Sequence, residues 1–175
     1  MDKNILAKEI YNISHLTGTF KLRSGQISRE YFDKYLFESN PQVLISIVEY
    51  MSKLIPQNTE VLAGLEMGGI PIATALSIKT GIPAVFVRKK AKDYGTCKLA
   101  EGMDISGKNV CIIEDVVTTG GQIILSADDL KKFNAKVNNV LCVILRNEEG
   151  RDKLRNAGLH LMELFTMSDL NPNKL

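Results

Sequence analysis

A chain of 175 residues, 45% hydrophobic and 24% charged, can bury a core without disulfide or metal staples. Its net charge of +2 is too small to make nucleic acid or an anionic membrane the default partner, and no apolar run is long enough to span a bilayer. The three cysteines, Cys97, Cys111 and Cys142, show neither CxxC nor metal spacing, which points to a reducing, cytoplasmic compartment.

In chain order, the first fourteen residues, MDKNILAKEIYNIS, mix charged with apolar positions. They lack the apolar centre of a secretory signal and read as an amphipathic helix. Residues 20–37 contain Glu30-Tyr31-Phe32-Asp33-Lys34-Tyr35, whose aromatics and partial alternation predict a strand or hairpin outside the main sheet. We take about 18–38 as a small N-terminal hood. Four continuous apolar runs follow: Val61-Leu62-Ala63-Gly64, Ala84-Val85-Phe86-Val87, Val110-Cys111-Ile112-Ile113, and 140–145. Continuous runs mark strands buried on both faces of a parallel sheet, and they place Cys111 and Cys142 inside it. Helical patterns separate them at 70–79, closed by Gly81-Ile82-Pro83, at 121–132, with Ile123, Ile124, Ala127 and Leu130 on one face, and at 147–156, closed by Gly158. Alternating strands and helices predict an α/β fold, a central, mainly parallel sheet flanked by helices, in one domain over residues 1–175. The polar stretch 88–106 carries Gly95 and Gly102, and a loop of that length in a compact domain is usually functional or disordered.

The most informative segment is Val110-Cys111-Ile112-Ile113-Glu114-Asp115-Val116-Val117-Thr118-Thr119-Gly120-Gly121-Gln122. A buried strand ends in two adjacent carboxylates, a Thr/Gly loop follows, and a helix begins. Ligands of open α/β sheets bind at the carboxyl ends of strands. A helix N-terminus offers unpaired N–H groups and a positive dipole end, so 118–122 can cradle a monophosphate. Glu114 and Asp115 suit sugar hydroxyls or Mg²⁺ instead. Acid-acid beside a phosphate nest therefore describes a ribose 5-phosphate. The GK[ST] ending of a Walker loop and the dinucleotide GxGxxG are both missing. Arg88, Lys89, Lys90 and Lys92 follow a strand closely and can meet a polyanionic leaving group.

Residues 114–122 resemble the phosphoribosyl pyrophosphate (PRPP) signature of type I phosphoribosyltransferases. Phe20-Lys21-Leu22-Arg23-Ser24-Gly25, Arg88-Lys89-Lys90-Ala91-Lys92-Asp93-Tyr94-Gly95-Thr96 and Leu164-Phe165-Thr166-Met167-Ser168-Asp169-Leu170 resemble motifs of the orotate branch, in the same order. The resemblance implies the type I phosphoribosyltransferase fold and transfer of ribose 5-phosphate from PRPP to orotate. It implies PRPP contacts from Arg88, Lys89, Lys92, Glu114, Asp115, Val116, Val117, Thr118, Thr119, Gly120, Gly121 and Gln122. Lys92 would be the main catalytic residue, beside Glu114 and Asp115. Met67, Gly68 and Gly69 match the family's pyrophosphate loop, where some members carry a lysine at the Gly68 position. Arg23, Tyr31, Phe32, Thr118 and Asn147 fall at the orotate site. Mg²⁺ is expected on PRPP, with no direct protein ligand. A homodimer is expected, its loop at about 88–106 reaching the neighbouring subunit's site.

One departure bears on the base. The family pattern Asp-Arg-Glu-x-Gly reads Arg146-Asn147-Glu148-Glu149-Gly150 here, so the arginine that helps hold the orotate carboxylate falls at Asn147. Transfer to another nucleobase, or a non-catalytic PRPP-sensing regulator, are the alternatives. His15 and His160 lie near no motif and read as structural or surface residues.

Overall fold

The structure, a computed structural model, describes residues 1–22, 24–89 and 99–170. It opens with helix α1 (Lys3–Ser14), capped by the Asp2 side chain, which accepts from the Asn4 N–H. Leu6, Ala7 and Ile10 form its buried stripe. Strands β1 (His15–Lys21) and β2 (Ile27–Phe32) pair antiparallel as a separate two-stranded sheet. Expected as a strand or hairpin, this segment is a hairpin, but it ends sooner than about 18–38 suggests. Asp33 caps a short helix, α2 (Lys34–Ser39), whose Phe37 is fully buried. The β-favouring aromatics are overridden there by the Asp33 cap and by packing on α1 and on the next helix, α3 (Pro41–Met51). Asn40 and a proline in the first turn start α3.

The main sheet runs β5-β4-β3-β6-β7-β8 among the described residues. Its strands are β3 (Val61–Leu65), β4 (Ala84–Val87), β5 (Ala100–Glu101), β6 (Asn109–Val117), β7 (Lys136–Leu145) and β8 (His160–Thr166). All pairings are parallel except β4 with β5. Helices α4 (Gly69–Thr80), α5 (Gly121–Lys132) and α6 (Glu148–Asn156) connect the parallel strands, and α7 (Met167–Leu170) ends the described chain. Two cores result. Ile112, Val140 and Cys142 pack with Ile123, Ala127 and Leu130 of α5 and Leu154 of α6. Cys111, Ile113 and Leu141 pack on the other face with α1, α3 and α4. Burial on both faces is why these strands read as unbroken apolar runs. Cys111 and Cys142 are buried free thiols, and burial pushes the Cys111 thiol up to about 12. Cys97 lies outside the described residues.

The polar stretch 88–106 is not loop throughout. Phe86 pairs with Glu101 and Val87 with Ala100, the Arg88 N–H donates to the Leu99 carbonyl at 2.9 Å, and Leu99 and Ile105 are buried. Short apolar anchors inside a polar stretch therefore close it onto the edge of β4. No described helix is long and apolar enough to cross a membrane.

Candidate active site

From β3 the chain crosses through α4 to β4 on one side, and from β6 through α5 to β7 on the other. The carboxyl ends of β3 and β6 thus stand side by side where the winding reverses, the place where an open sheet leaves a crevice. A cleft of about 290 Å³ lies there. Met67 lines it from the turn after β3, Lys89 from the start of the basic segment, and Glu114, Val116, Val117, Thr118, Thr119, Gly120 and Gln122 from β6 and its turn. The predicted phosphate and acid segments therefore share one cavity.

The phosphate end is built from backbone. Gly120 precedes α5 with φ 72°, a left-handed conformation that glycine adopts freely. No side chain caps α5, and its first helical bond runs from the Ile124 N–H to the Gly120 carbonyl at 3.1 Å. Thr118 and Thr119 are exposed beside that open helix end. This is a ready anion cradle.

The other wall depends on Gly68 and Gly69. A Cβ on Gly69 would press into the Ile113 carbonyl, so only glycine lets α4 start so close to β6. A Cβ on Gly68 would overlap the Asp115 carboxyl and stand 2.8 Å from Glu38 Oε1. Asp115 is fully buried and, unlike Glu114, is not among the residues that line the cleft. Its Oδ2 faces Lys34 Nζ at 2.5 Å, and its Oδ1 accepts from the Val116 N–H at 2.5 Å. Glu114 is partly buried on the cleft wall, and its Oε1 accepts from the Asp115 N–H at 3.3 Å.

These groups titrate together. Burial pushes the Glu114 carboxyl well above the usual carboxylate range, and neighbouring Asp115 adds to the rise. Burial likewise lifts Glu38, helped by Asp115, to about 9. Burial also pushes Asp115 upward, but hydrogen bonds from Glu114, Lys34 and Glu38 outweigh it and hold Asp115 below its ordinary value. Lys34 is lowered by burial and raised more strongly by Asp115. The cluster therefore favours ionisation at Asp115, beside the Lys34 ammonium, over its two carboxyl neighbours.

Lys34, Tyr35, Glu38 and Glu66 were not among the site residues expected from the sequence. Lys34 and Tyr35 line the cleft. Glu66 lines it too, and its Oε1 accepts from the Lys89 N–H at 2.5 Å, fastening the basic segment to the end of β3. The sequence signal for α2 was Asp33 as a cap followed by Lys34 and Glu38 at helical i,i+4 spacing. Other expected residues stand outside the cleft lining. Tyr31 is 43% exposed and stacks on Phe20 with ring centroids 5.5 Å apart, whereas Phe32 turns to the core, as neighbouring strand positions must. Arg146 and Asn147 are exposed, and the Arg146 N–H donates to the Val117 carbonyl at 2.8 Å. Arg23, Lys90 and Lys92 lie outside the described residues.

Among known proteins, the family described as Phosphoribosyl transferase domain matches residues 37–158. An orotate phosphoribosyltransferase of Nocardioides sp. is 49% identical over 166 residues, 95% of this chain and 93% of the relative. A crystal structure of Mycobacterium tuberculosis H37Rv orotate phosphoribosyltransferase in complex with Fe(III) dicitrate superposes with TM-score 0.87 at 28% identity, covering 98% of this chain and 99% of that one. The same M. tuberculosis enzyme in complex with 5-phospho-alpha-D-ribosyl 1-diphosphate gives TM-score 0.82 at 25% identity, with 97% and 99% covered. A cleft that joins an uncapped helix end to Glu114 at the sheet's switch point, with these relatives over nearly the whole length, shows that the chain belongs to the orotate phosphoribosyltransferase family.

Proposed function

We propose that this chain transfers ribose 5-phosphate from PRPP to orotate, releasing pyrophosphate and forming orotidine 5-phosphate, a step of pyrimidine synthesis. The observation that carries this reading is the joining of the 118–120 turn and the α5 end to Glu114 and Lys34 in one cleft, with Asp115 buried directly behind Lys34. The α5 N–H groups and the threonine hydroxyls take the 5-phosphate. Glu114 and Asp115 take the ribose 2- and 3-hydroxyls. The negative charge of Asp115 also lies near the positive charge that grows on the ring as pyrophosphate leaves. Arg88, Lys89 and Lys92, with the turn at Met67, Gly68 and Gly69, meet the leaving pyrophosphate. Closure of the basic segment excludes water that would otherwise capture the ribosyl centre. The orotate ring nitrogen, already deprotonated, attacks the face opposite the leaving group, so no acid–base histidine takes part. Tyr31, exposed on the hood, Arg23, Thr118 and Asn147 form the base site, with Phe32 turned to the core behind Tyr31.

Mg²⁺ belongs to this reading as a companion of PRPP. Among the described residues no group of three or more His, Cys, Asp or Glu side chains is arranged to hold a metal, and Asp115 Oδ2 already faces the Lys34 ammonium. These residues do not fit a resident ion. Mg²⁺ carried on the pyrophosphate would supply charge neutralisation beside Lys89 and the turn at Met67.

We place the enzyme in the cytoplasm as one catalytic domain over 1–175. It works as a homodimer whose basic segment serves the neighbouring site. Exposed Ile45 and Ile78, at 60% and 83%, give α3 and α4 an apolar face suited to a second copy, and sedimentation of the purified chain tests this. Transfer to a different base is the second reading, favoured by the exposed Asn147 where the family has arginine. Ultraviolet absorbance with PRPP, Mg²⁺ and orotate, adenine, hypoxanthine or uracil separates the two. Consumption of orotate alone supports the first, and turnover of only another base overturns it.

A further inference from the structure

Helix α2 places Lys34 and Glu38 one turn apart, and both reach the same carboxylate. Lys34 Nζ is 2.5 Å from Asp115 Oδ2, and a Cβ on Gly68 would touch both the Asp115 and the Glu38 carboxyls. Glu38 is 6% exposed, and its Oε1, like Asp115 Oδ2 beyond its ion pair with Lys34, is buried with no hydrogen-bond partner among the described residues, the two oxygens standing side by side at Gly68. Two carboxyl groups meeting in a buried place cannot both ionise; one keeps a proton and donates it to the other. Asp115 has the ammonium beside it, so Asp115 ionises and Glu38 is the donor. The charged groups facing Glu38 are Asp115 from β6 and Lys34 and Asp33 from its own segment, with Glu114 behind Asp115. The turn that holds Gly68 carries Glu66, whose carboxyl accepts from the Lys89 N–H.

We propose that Lys34 and Glu38 are positioning residues for Asp115: two donors from α2 converge on one buried carboxylate and fix its rotamer for the ribose hydroxyls. This rests on the reading that Asp115 holds the ribose. The side chain of Lys34 is 33% exposed and lines the cleft, so its ammonium is also free to swing toward an arriving anion once sugar hydroxyls take over its place at Asp115.

The test uses the full chain with Glu38→Gln, Lys34→Met, Lys34→Arg and Asp115→Asn. Steady-state rates are taken from about pH 7 to about pH 10, and PRPP binding is followed by calorimetry. Glutamine mimics the protonated carboxyl and donates without titrating, so E38Q matches the parent within about twofold in kcat/KM at pH 7. Its rate relative to the parent then climbs as pH passes the point where Glu38 loses its proton. K34M raises the KM for PRPP by about tenfold or more, the range for losing a charged hydrogen bond, with a smaller change in kcat, and K34R restores most of it. A flat E38Q-to-parent ratio across this range, with D115N deficient in PRPP binding, overturns the proposal and leaves the ribose reading standing. Normal PRPP binding by D115N overturns the ribose reading itself. An unchanged KM for PRPP in folded K34M also overturns the proposal.

Discussion

Replacing Gly68 by alanine tests how tightly the ribose floor is built. The new Cβ overlaps the Asp115 carboxyl, where ordinary contact begins at 3.4 Å, so the carboxyl group must leave its place. Asp115 is fully buried and has no open side to rotate into without parting from Lys34. Weakening this ion pair, one partner of which is a third exposed, costs about 1–3 kcal/mol of stability, less than a wholly buried pair. In a protein of this size that lowers the melting midpoint by roughly 2–10 °C. A lost charge-assisted hydrogen bond to the sugar costs about 1.5–3 kcal/mol more in the transition state, or about 10–150-fold in kcat/KM for PRPP. Initial rates of orotate consumption over a range of PRPP concentrations, with melting curves, measure both. A Gly68→Ala enzyme with the parent's KM for PRPP and the parent's melting midpoint refutes the reasoning.

Gly121→Ala separates folding from binding: its Cβ meets no protein atom within 4 Å, so melting stays within about 0.5 kcal/mol of the parent while PRPP affinity falls, as calorimetry would record. Lys92→Ala lowers kcat by about 100-fold or more with PRPP binding changed far less, measured by single-turnover rates beside calorimetry. Stability depends on pH through the carboxyl cluster. Glu38 is raised to about 9 and Glu114 well above 4.5, so between about pH 4.5 and 9 the folded chain holds protons that the unfolded chain has released. That contribution is complete below the unfolded value and is lost as pH rises through the folded one. Asp115 is lowered and acts oppositely, its contribution disappearing only in acid. The melting midpoint therefore falls from about pH 6 to about pH 9.5, and it falls less in E38Q; equal falls in both would contradict the assignment.

Much of the sheet was legible because β3, β6 and β7 are largely buried on both faces and show unbroken apolar runs; β4 shows one too, although its Phe86 is exposed. β8 escaped notice because it is an edge strand, carrying exposed His160 and a Glu163 that pairs with Arg151. α2 was hidden by the β-favouring residues just before it, and with it went Lys34 and Glu38. Their role depends on β6, some eighty positions away in the chain, which local pattern does not report. Glu114 and the 116–122 turn were readable because a strand, a turn and a helix start are contiguous in sequence. Asp115 was readable as an acid, but its burial and pairing came only from the packing of α2 and the close approach of Gly68.

The most direct test of the account is phosphorus NMR of the purified chain with PRPP, Mg²⁺ and orotate. The account predicts that the two diphosphate resonances of PRPP give way to free pyrophosphate in step with a new 5-phosphate monoester, one for one, only when orotate is present. Pyrophosphate released at the same rate without orotate, or PRPP left intact with it, would contradict the transfer.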